Sequence, residues 1–302
     1  MGAGVCGIVG LRLKNLELEP HLGEFVVPML DVLGSRGPDS TGVAVYTDDA
    51  PDGITKYSLS APSAEPDWPA LADGLRGRLG EDVGLRRRGR DAVVITKAST
   101  AAVLESLGEL APTVRLAGFG HFVEVYKDVG SAFDVCERYG ISAMAGYQAI
   151  GHTRMATESA VTTEHSHPFV IGHDLGLVHN GTFSNYASIR RRLAADGARF
   201  DTDNDSEVAA RFVAAEMGRG LDLSAALRSV LAVFDGFYTL LVATADAIAV
   251  VRDPSACKPM VVAETEDYVA VGSEYIALAE LPFIEKAEVF EPMPEEIYTW
   301  QI

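Results

Sequence analysis

Cysteine is scarce in this sequence, and the three that occur stand far apart, at Cys6, Cys136 and Cys257. An odd number with no CxxC pair argues against a secreted disulfide framework and against a zinc knuckle, and suits reduced thiols in a cytosol. Basic residues are in deficit as well, 25 Lys and Arg facing 43 Asp and Glu for a formal charge of −18. A chain with that field is not expected to bind nucleic acid. The basic run Arg86, Arg87, Arg88 and Arg90 reads as a solvated loop, with docking to a partner as the alternative. The apolar stretch from Tyr238 to Val251 is broken by Asp246, and the first residues lack the basic and apolar regions of an export signal. The expectation is a cytoplasmic protein without membrane contact. A GxGxxG loop and regular βαβ alternation are both missing, which argues against a Rossmann domain.

What is present is enough apolar residue, 48%, to fill a large core. Cys6 to Leu13 reads as a short buried strand, and the spacing of Phe25, Val26, Met29, Leu30 and Leu33 predicts a helix from His21 to Leu33. A turn at Ser35 to Asp39 leads to a strand at Gly42 to Tyr46. Composition then shifts to Pro, Ser and Gly in APDGITKYSLSAPSAEPDWP, which marks the exit into an insert running from 48 to 146. Within it, helices at Asp67 to Leu79, Ala101 to Leu110 and Ala132 to Tyr139 alternate with a strand at Ala92 to Thr96 and a strand pair from Val114 to Tyr126, an α/β subdomain. Beyond Gly151 come helices at Asn185 to Leu193, Ser206 to Met217 and Leu223 to Leu231. FYTLLVATADAIAVVRD and VVAETEDYVAVGSE follow as two hairpins. Strands bracketing helices in this way predict layered antiparallel sheets with helices outside.

A cysteine so close to the start, between Gly4-Val5 and Gly7-Ile8, raises the possibility of nucleophilic chemistry. A thiol attacks as thiolate, so a neighbour must take its proton. An α-amino group, with a reference pKa of about 7.7 to 8.0, serves that purpose when cysteine is the first residue. The plain alternative is a small buried strand residue. Other stretches bear on the choice. Arg154, in GHTRMATESAVTTEHSHP, offers bidentate recognition of a carboxylate. Asn180-Gly181, in LVHNGTFSNY, offers two donors to an oxyanion. Asp205, in TDNDSEV, either caps a helix or grips an ammonium. Together these describe a site for an α-amino acid whose side-chain carbonyl is attacked, and glutamine fits. His165, His167, His173 and His179 are too scattered by strand alternation to form a metal set, so no metal is expected. His167, before Pro168, is expected in the wall of the site.

The motifs CGIVG at Cys6, SRGPDSTG at Arg36, GHTR at Arg154, HP at His167, VHNG at Asn180 and NDSE at Asp205 resemble, in order and spacing, the class II glutamine amidotransferases of the N-terminal-nucleophile family. The resemblance covers about residues 6 to 47 and 147 to 275. It implies an α+β, four-layer αββα N-terminal-nucleophile hydrolase fold over 6–302, with the small α/β subdomain at 48–146 inserted in it. It implies Cys6 as nucleophile with its own amine as base, Asn180 and Gly181 as oxyanion hole, and Arg154 with Asp205 holding glutamine. Thr157, His167 and Arg36 join the substrate-binding set. Residues 1–5 are then a leader or a misassigned start.

More closely, TRMATESAVTTEHSHP, VRDPSACKPMVVAETEDYVAVGSEYIAL and PEEIYTW resemble the free-standing amidotransferase subunits of glutamate-synthase-like complexes, including N-methylglutamate synthase. That resemblance implies no cofactor in this chain, FMN in a glutamate-synthase-like partner, and a further partner with a glycine-repeat β-helix. Two positions depart from the wider pattern: Met155 stands where tryptophan is common and Glu158 where histidine is common. A subunit that keeps the fold without catalysis, or a hydrolase of other amides, are the competing expectations.

Overall fold

A computed structural model describes residues 6–61, 63, 65–80, 82–155 and 160–301. The expected leader 1–5, Thr157 and Glu158 lie outside the described residues. The chain enters on β1 (Gly7–Leu13), all seven residues of which are buried, and continues through α1 (Leu22–Val32) and β2 (Ser40–Tyr46). A side unit follows: β3 (Thr55–Ser60), α2 (Trp68–Leu79), β4 (Gly84–Arg88), β5 (Asp91–Thr96), α3 (Thr100–Leu110) and β6 (Arg115–Gly120). β7 (Val123–Val129), α4 (Ala132–Tyr139) and β8 (Gln148–Arg154) return to the body. The second half holds β9 (Phe169–Ile171), β10 (Leu175–Phe183), α5 (Tyr186–Ala195), α6 (Asp205–Gly218) and α7 (Leu223–Val233). It closes with β11 (Gly236–Ala243), β12 (Ala247–Arg252), β13 (Val261–Glu264), β14 (Tyr268–Gly272), β15 (Glu288–Phe290) and β16 (Ile297–Gln301).

Among the described residues these strands form three antiparallel sheets. One runs β15-β13-β14-β1-β8-β2-β7, a second β16-β12-β11-β10-β9. Their inner faces meet through Ile8, Ile150, Val178, Leu241, Val250 and Val271, all buried in one cluster. The outer face of the first sheet is covered by α1 and α4, whose Val26, Leu30, Val135 and Tyr139 pack with Leu11 and Val43. The outer face of the second is covered by α5, α6 and α7 through Ile189, Phe212, Val213 and Leu227. Helix, sheet, sheet, helix is the expected αββα arrangement, and it explains why the central strands carry buried residues on both faces. Each fully buried Leu, Ile or Val there contributes about 1.5–3 kcal/mol of transfer free energy. Among the described residues no helix is long and apolar enough to cross a membrane.

The third sheet, β4-β5-β3-β6, packs on α2 and α3 around Leu59, Trp68, Leu75, Val94 and Val103. This unit is narrower than the insert expected at 48–146. β7 pairs with β2 from Ser40↔Val129 to Tyr46↔Val123, and α4 packs beside α1, so both belong to the main layers. The reason is that alternation marks strands without naming their partners: β6 goes to β3 and β7 to β2. The basic run is not a solvated loop either. It begins in edge strand β4, where Arg86 bridges Asp49 at 3.1 Å and also Glu124, and continues to Arg90, which bridges Asp128 at 2.9 Å. Glu124 and Asp128 are buried residues of β7, and Arg138 of α4 also reaches Asp128. Buried Lys56 of β3 completes the clamp, 2.7 Å from Asp49 and 3.7 Å from Glu124.

Candidate functional site

Cys6 sits half-buried at the mouth of β1. The next residue decides how close it comes to β8, for a Cβ at Gly7 would stand 2.6 Å from Thr153 Oγ1 and 2.8 Å from Leu33 Cβ. Only glycine permits that approach. It brings the Cys6 thiol to 3.7 Å from the carbonyl oxygen of Met155, to which Sγ–H donates. Burial pushes the thiol pKa up, while the Met155 contact and the cations Arg154 and Lys258 pull it down without cancelling the rise. A thiol in this state needs a base before it can attack.

Arg154 is the last residue of β8 and pairs across to Ser40 of β2. It is buried, and its Nη1 donates to the Ala160 carbonyl at 3.0 Å. Burial lowers its pKa, opposed by Cys6, Asp39 and Asp205, which places those three groups within its electrostatic reach. Arg36 comes from the turn ahead of β2, forms an ion pair with Glu274, and also lies within reach of Cys6.

Asn180 and Gly181 are consecutive on β10. Asn180 is buried, and its Nδ2 donates a 2.9 Å hydrogen bond to the backbone carbonyl of Cys6. Gly181 has φ +137°, and a Cβ there would lie 2.0 Å from the Phe237 carbonyl oxygen, so no other residue fits.

Asp205 opens α6 but does not cap it. The cap is Asn204, whose side chain accepts from Ser206 N–H at 2.9 Å. That leaves the Asp205 carboxylate to other donors: Phe183 N–H at 3.0 Å and the Ser206 hydroxyl at 3.2 Å. His179 Nδ1 stands 2.8 Å from Ser206 Oγ and 3.7 Å from Asp205 Oδ1. Since Ser206 donates onward to the carboxylate, it accepts from His179 Nδ1–H, and the three form a chain that orients Asp205.

His167 lies deeper than a wall residue. It is buried, with its ring stacked on His152 at 4.2 Å, and burial holds its pKa well below the ordinary value. His152 in turn has Nε2 at 3.0 Å from the His179 carbonyl oxygen, which accepts its proton. Among the described residues neither nitrogen of His167 has a hydrogen-bond partner, and no group of three or more His, Cys, Asp or Glu side chains is arranged to hold a metal ion.

The geometry therefore gathers Cys6 ahead of β1, Arg36 from the turn ahead of β2, Arg154 at the end of β8, Asn180 and Gly181 on β10 and Asp205 at the start of α6, with His167 stacked on His152 within electrostatic reach of Arg154. Thr157 lies outside the described residues. The residues missed from sequence are Ser206, His179, Lys258 and Glu274. Ser206 and His179 lie beside recognised motif positions, but a histidine in VHNG was weighed only as a metal ligand. Lys258 and Glu274 reach the site from the segments just before and just after the hairpin of β13 and β14, and no local pattern signals that.

The profile of the glutamine amidotransferase domain matches residues 152–280. The chain is 47% identical over 297 residues to the glutamine amidotransferase-like protein GlxB of Rhizobium meliloti, covering 98% of each. It is 31% identical over 191 residues to an amidophosphoribosyltransferase of Methanocaldococcus jannaschii, covering 61% of this chain and 41% of the relative. Among solved structures it resembles the glutamine phosphoribosylpyrophosphate amidotransferase of B. subtilis with a TM-score of 0.61 at 18% identity. That likeness is one of fold, and it covers 98% of this chain and 49% of the other, so the chain spans about half the length of that structure.

Proposed function

Because this chain belongs to the glutamine amidotransferase family, we propose that it hydrolyses the side-chain amide of glutamine, with Cys6 as nucleophile. The observation that carries this reading is the meeting of Asn180 with Cys6 at 2.9 Å, beside a buried arginine and a carboxylate of opposite charge. Arg154 takes the α-carboxylate of glutamine and Asp205 its α-ammonium, which aims the side-chain amide at the thiol. Arg36, Thr157 and His167 complete the substrate-binding set, His167 through support rather than contact. Sγ attacks the amide carbon as its proton passes to the base. Asn180 Nδ2 has two hydrogens, one of them given to Cys6 O, and the second meets the oxyanion with Gly181 alongside. The C–N bond then breaks, the base returns the proton to the leaving ammonia, and water cleaves the thioester to release glutamate.

The base is the α-amine of Cys6, because burial pushes the thiol up and, among the described residues, no side chain accepts a hydrogen bond from it. This requires that Cys6 be the first residue of the mature chain, either by cleavage of a leader at 1–5 or by a start at position 5 whose initiator methionine is trimmed. Intact mass of the native protein, joined to a glutaminase assay, tests both steps. A native chain that keeps residues 1–5 and turns over no glutamine would move the reading to a non-catalytic subunit.

We place the ammonia acceptor in a partner: an FMN-dependent glutamate-synthase-like subunit, possessing the cofactor that this chain is not expected to hold, together with a β-helical subunit, in an N-methylglutamate-synthase type of complex. Support comes from the resemblance of TRMATESAVTTEHSHP and PEEIYTW to amidotransferase subunits of such complexes. Co-purification from the native source, read by flavin absorbance and subunit composition, tests it. Purification as a fully active glutaminase indifferent to those subunits would overturn it.

A further inference from the structure

A cavity of about 570 Å³ lies between the inserted unit and the body, within the range that takes small molecules. The insert lines it with Leu104, Leu107, Val114 and Phe119, and the body adds Phe169. None of Cys6, Arg36, Arg154, Asn180, Gly181 or Asp205 reaches it.

Its charged lining is unbalanced. Asp201 and Glu207 are both held by Arg211, at 2.8 and 2.7 Å. Glu207 also accepts the backbone N–H groups of Asp201 and Thr202, at 2.9 and 2.7 Å. The lining as a whole carries Arg115, Lys127, Arg199 and Arg211 against Glu164, Asp201 and Glu207, and those three acids reach Lys127 only at long range. Lys127 is the unusual member. It is buried on β7, and its Nζ donates to the carbonyls of Ser166 at 2.8 Å and Pro168 at 3.3 Å. Its Nζ stands 4.9 Å from the Phe169 ring centre, and among the described residues no carboxylate lies within 4.0 Å of it. Burial lowers its pKa to about 8. A buried cation is ordinarily paired, because carbonyl dipoles alone do not replace its lost hydration.

We propose that this cavity binds a small organic carboxylate with an apolar body, the carboxylate on Lys127 and the body against Leu107 and Phe119. One buried ammonium matches a single negative charge, whereas a phosphate monoester carries close to two. The position matters, since Lys127 holds the carbonyls on either side of His167 and Glu207 organises the stretch leading to Asp205.

The test is calorimetric titration of the full chain with 4-phenylbutanoate, 4-phenylbutylamine and phenyl phosphate. No turnover is needed, so the result is independent of the glutamine reading. Saturable one-to-one binding of 4-phenylbutanoate is expected, with the amine silent. Lys127→Met should weaken the carboxylate tenfold or more. Gly108→Leu is the second variant, because Gly108 lines the cavity and a Cβ there meets nothing within 4 Å. It should abolish binding without disturbing the fold. Failure of 4-phenylbutanoate to saturate, survival of its binding in both variants, or equal binding of the amine would overturn the proposal. Tighter binding of phenyl phosphate would overturn the carboxylate assignment.

Discussion

Asn180 Nδ2, on β10 of one sheet, donates a 2.9 Å hydrogen bond to the carbonyl oxygen of Cys6, the residue that leads into β1 of the other. The bond ties the oxyanion strand to the nucleophile's own backbone, so each fixes the other. Asn180→Ala removes both the tie and the second N–H. Glutamine turnover is expected to fall by roughly 10²- to 10³-fold, with KM changed far less, by steady-state glutaminase assay. A variant within threefold of the parent would show that Asn180 does not donate to the oxyanion.

Cys6→Ala removes a nucleophile and little volume. The expected result is complete loss of glutaminase with an unchanged melting temperature, read by calorimetry beside the assay. Residual turnover at the parent rate would place the nucleophile elsewhere.

Arg154→Lys keeps the charge and loses the fork. A charge-assisted hydrogen bond is worth about 1.5–3 kcal/mol, so KM for glutamine should rise about 10- to 100-fold while kcat changes less. Equal losses in kcat and kcat/KM would instead assign Arg154 to the transition state.

Ser206→Ala cuts the chain from His179 to Asp205. If Asp205 grips the α-ammonium, the preference for glutamine over glutaramate, which lacks that group, should shrink by roughly 3- to 10-fold, with activity on glutaramate preserved. Alkylation of Cys6 by iodoacetamide should proceed at the parent rate, which separates this effect from general disorder. An unchanged preference would count against the relay.

Asp91 gives a pH test. Burial raises its carboxyl pKa from 3.8 to about 6. Between those values the folded chain holds a proton that the unfolded chain has released, so this group's contribution to stability falls as pH rises through that window, by about 3 kcal/mol in total. Asp91→Asn keeps the acceptor for Ala61 N–H, which lies 3.0 Å from Asp91 Oδ1. Its urea midpoint should exceed the parent's at pH 7 and match it near pH 4. A parent and variant with parallel pH profiles would refute the assignment.

Much of the body was legible because its elements follow simple periods. Val26, Met29, Leu30 and Leu33 recur at helical spacing and are all buried, and the hairpin of β11 and β12 turns at Ala245-Asp246 as the alternation requires. β3 and β4 were missed because their sequences are polar: Lys56 and Ser58 are buried, and the Arg86 to Arg88 run looks solvated until its carboxylates are seen. Those partners are about 35 to 40 positions away, beyond any local pattern. At the site, each motif residue was visible and its company was not. Asp205 looked like a cap because capping and ammonium binding ask for the same side chain, and only the Asn204 contact to Ser206 N–H separates the two.

The clamp of Arg86 and Arg90 on Glu124 and Asp128 means that the inserted unit is not a detachable cassette. Excising residues 55–120 would remove Lys56, Arg86 and Arg90 together, leave Asp128 with Arg138 and Thr163, and uncover Glu124 along with the face of β7 on which β3 and β6 pack. The lost ion pairs and the lost packing of β3 and β6 on β7 both weigh against the shortened chain. A trimmed lineage would therefore be expected to have exchanged both acids for neutral residues, and any shortened version made in the laboratory should carry Glu124→Gln and Asp128→Asn from the start.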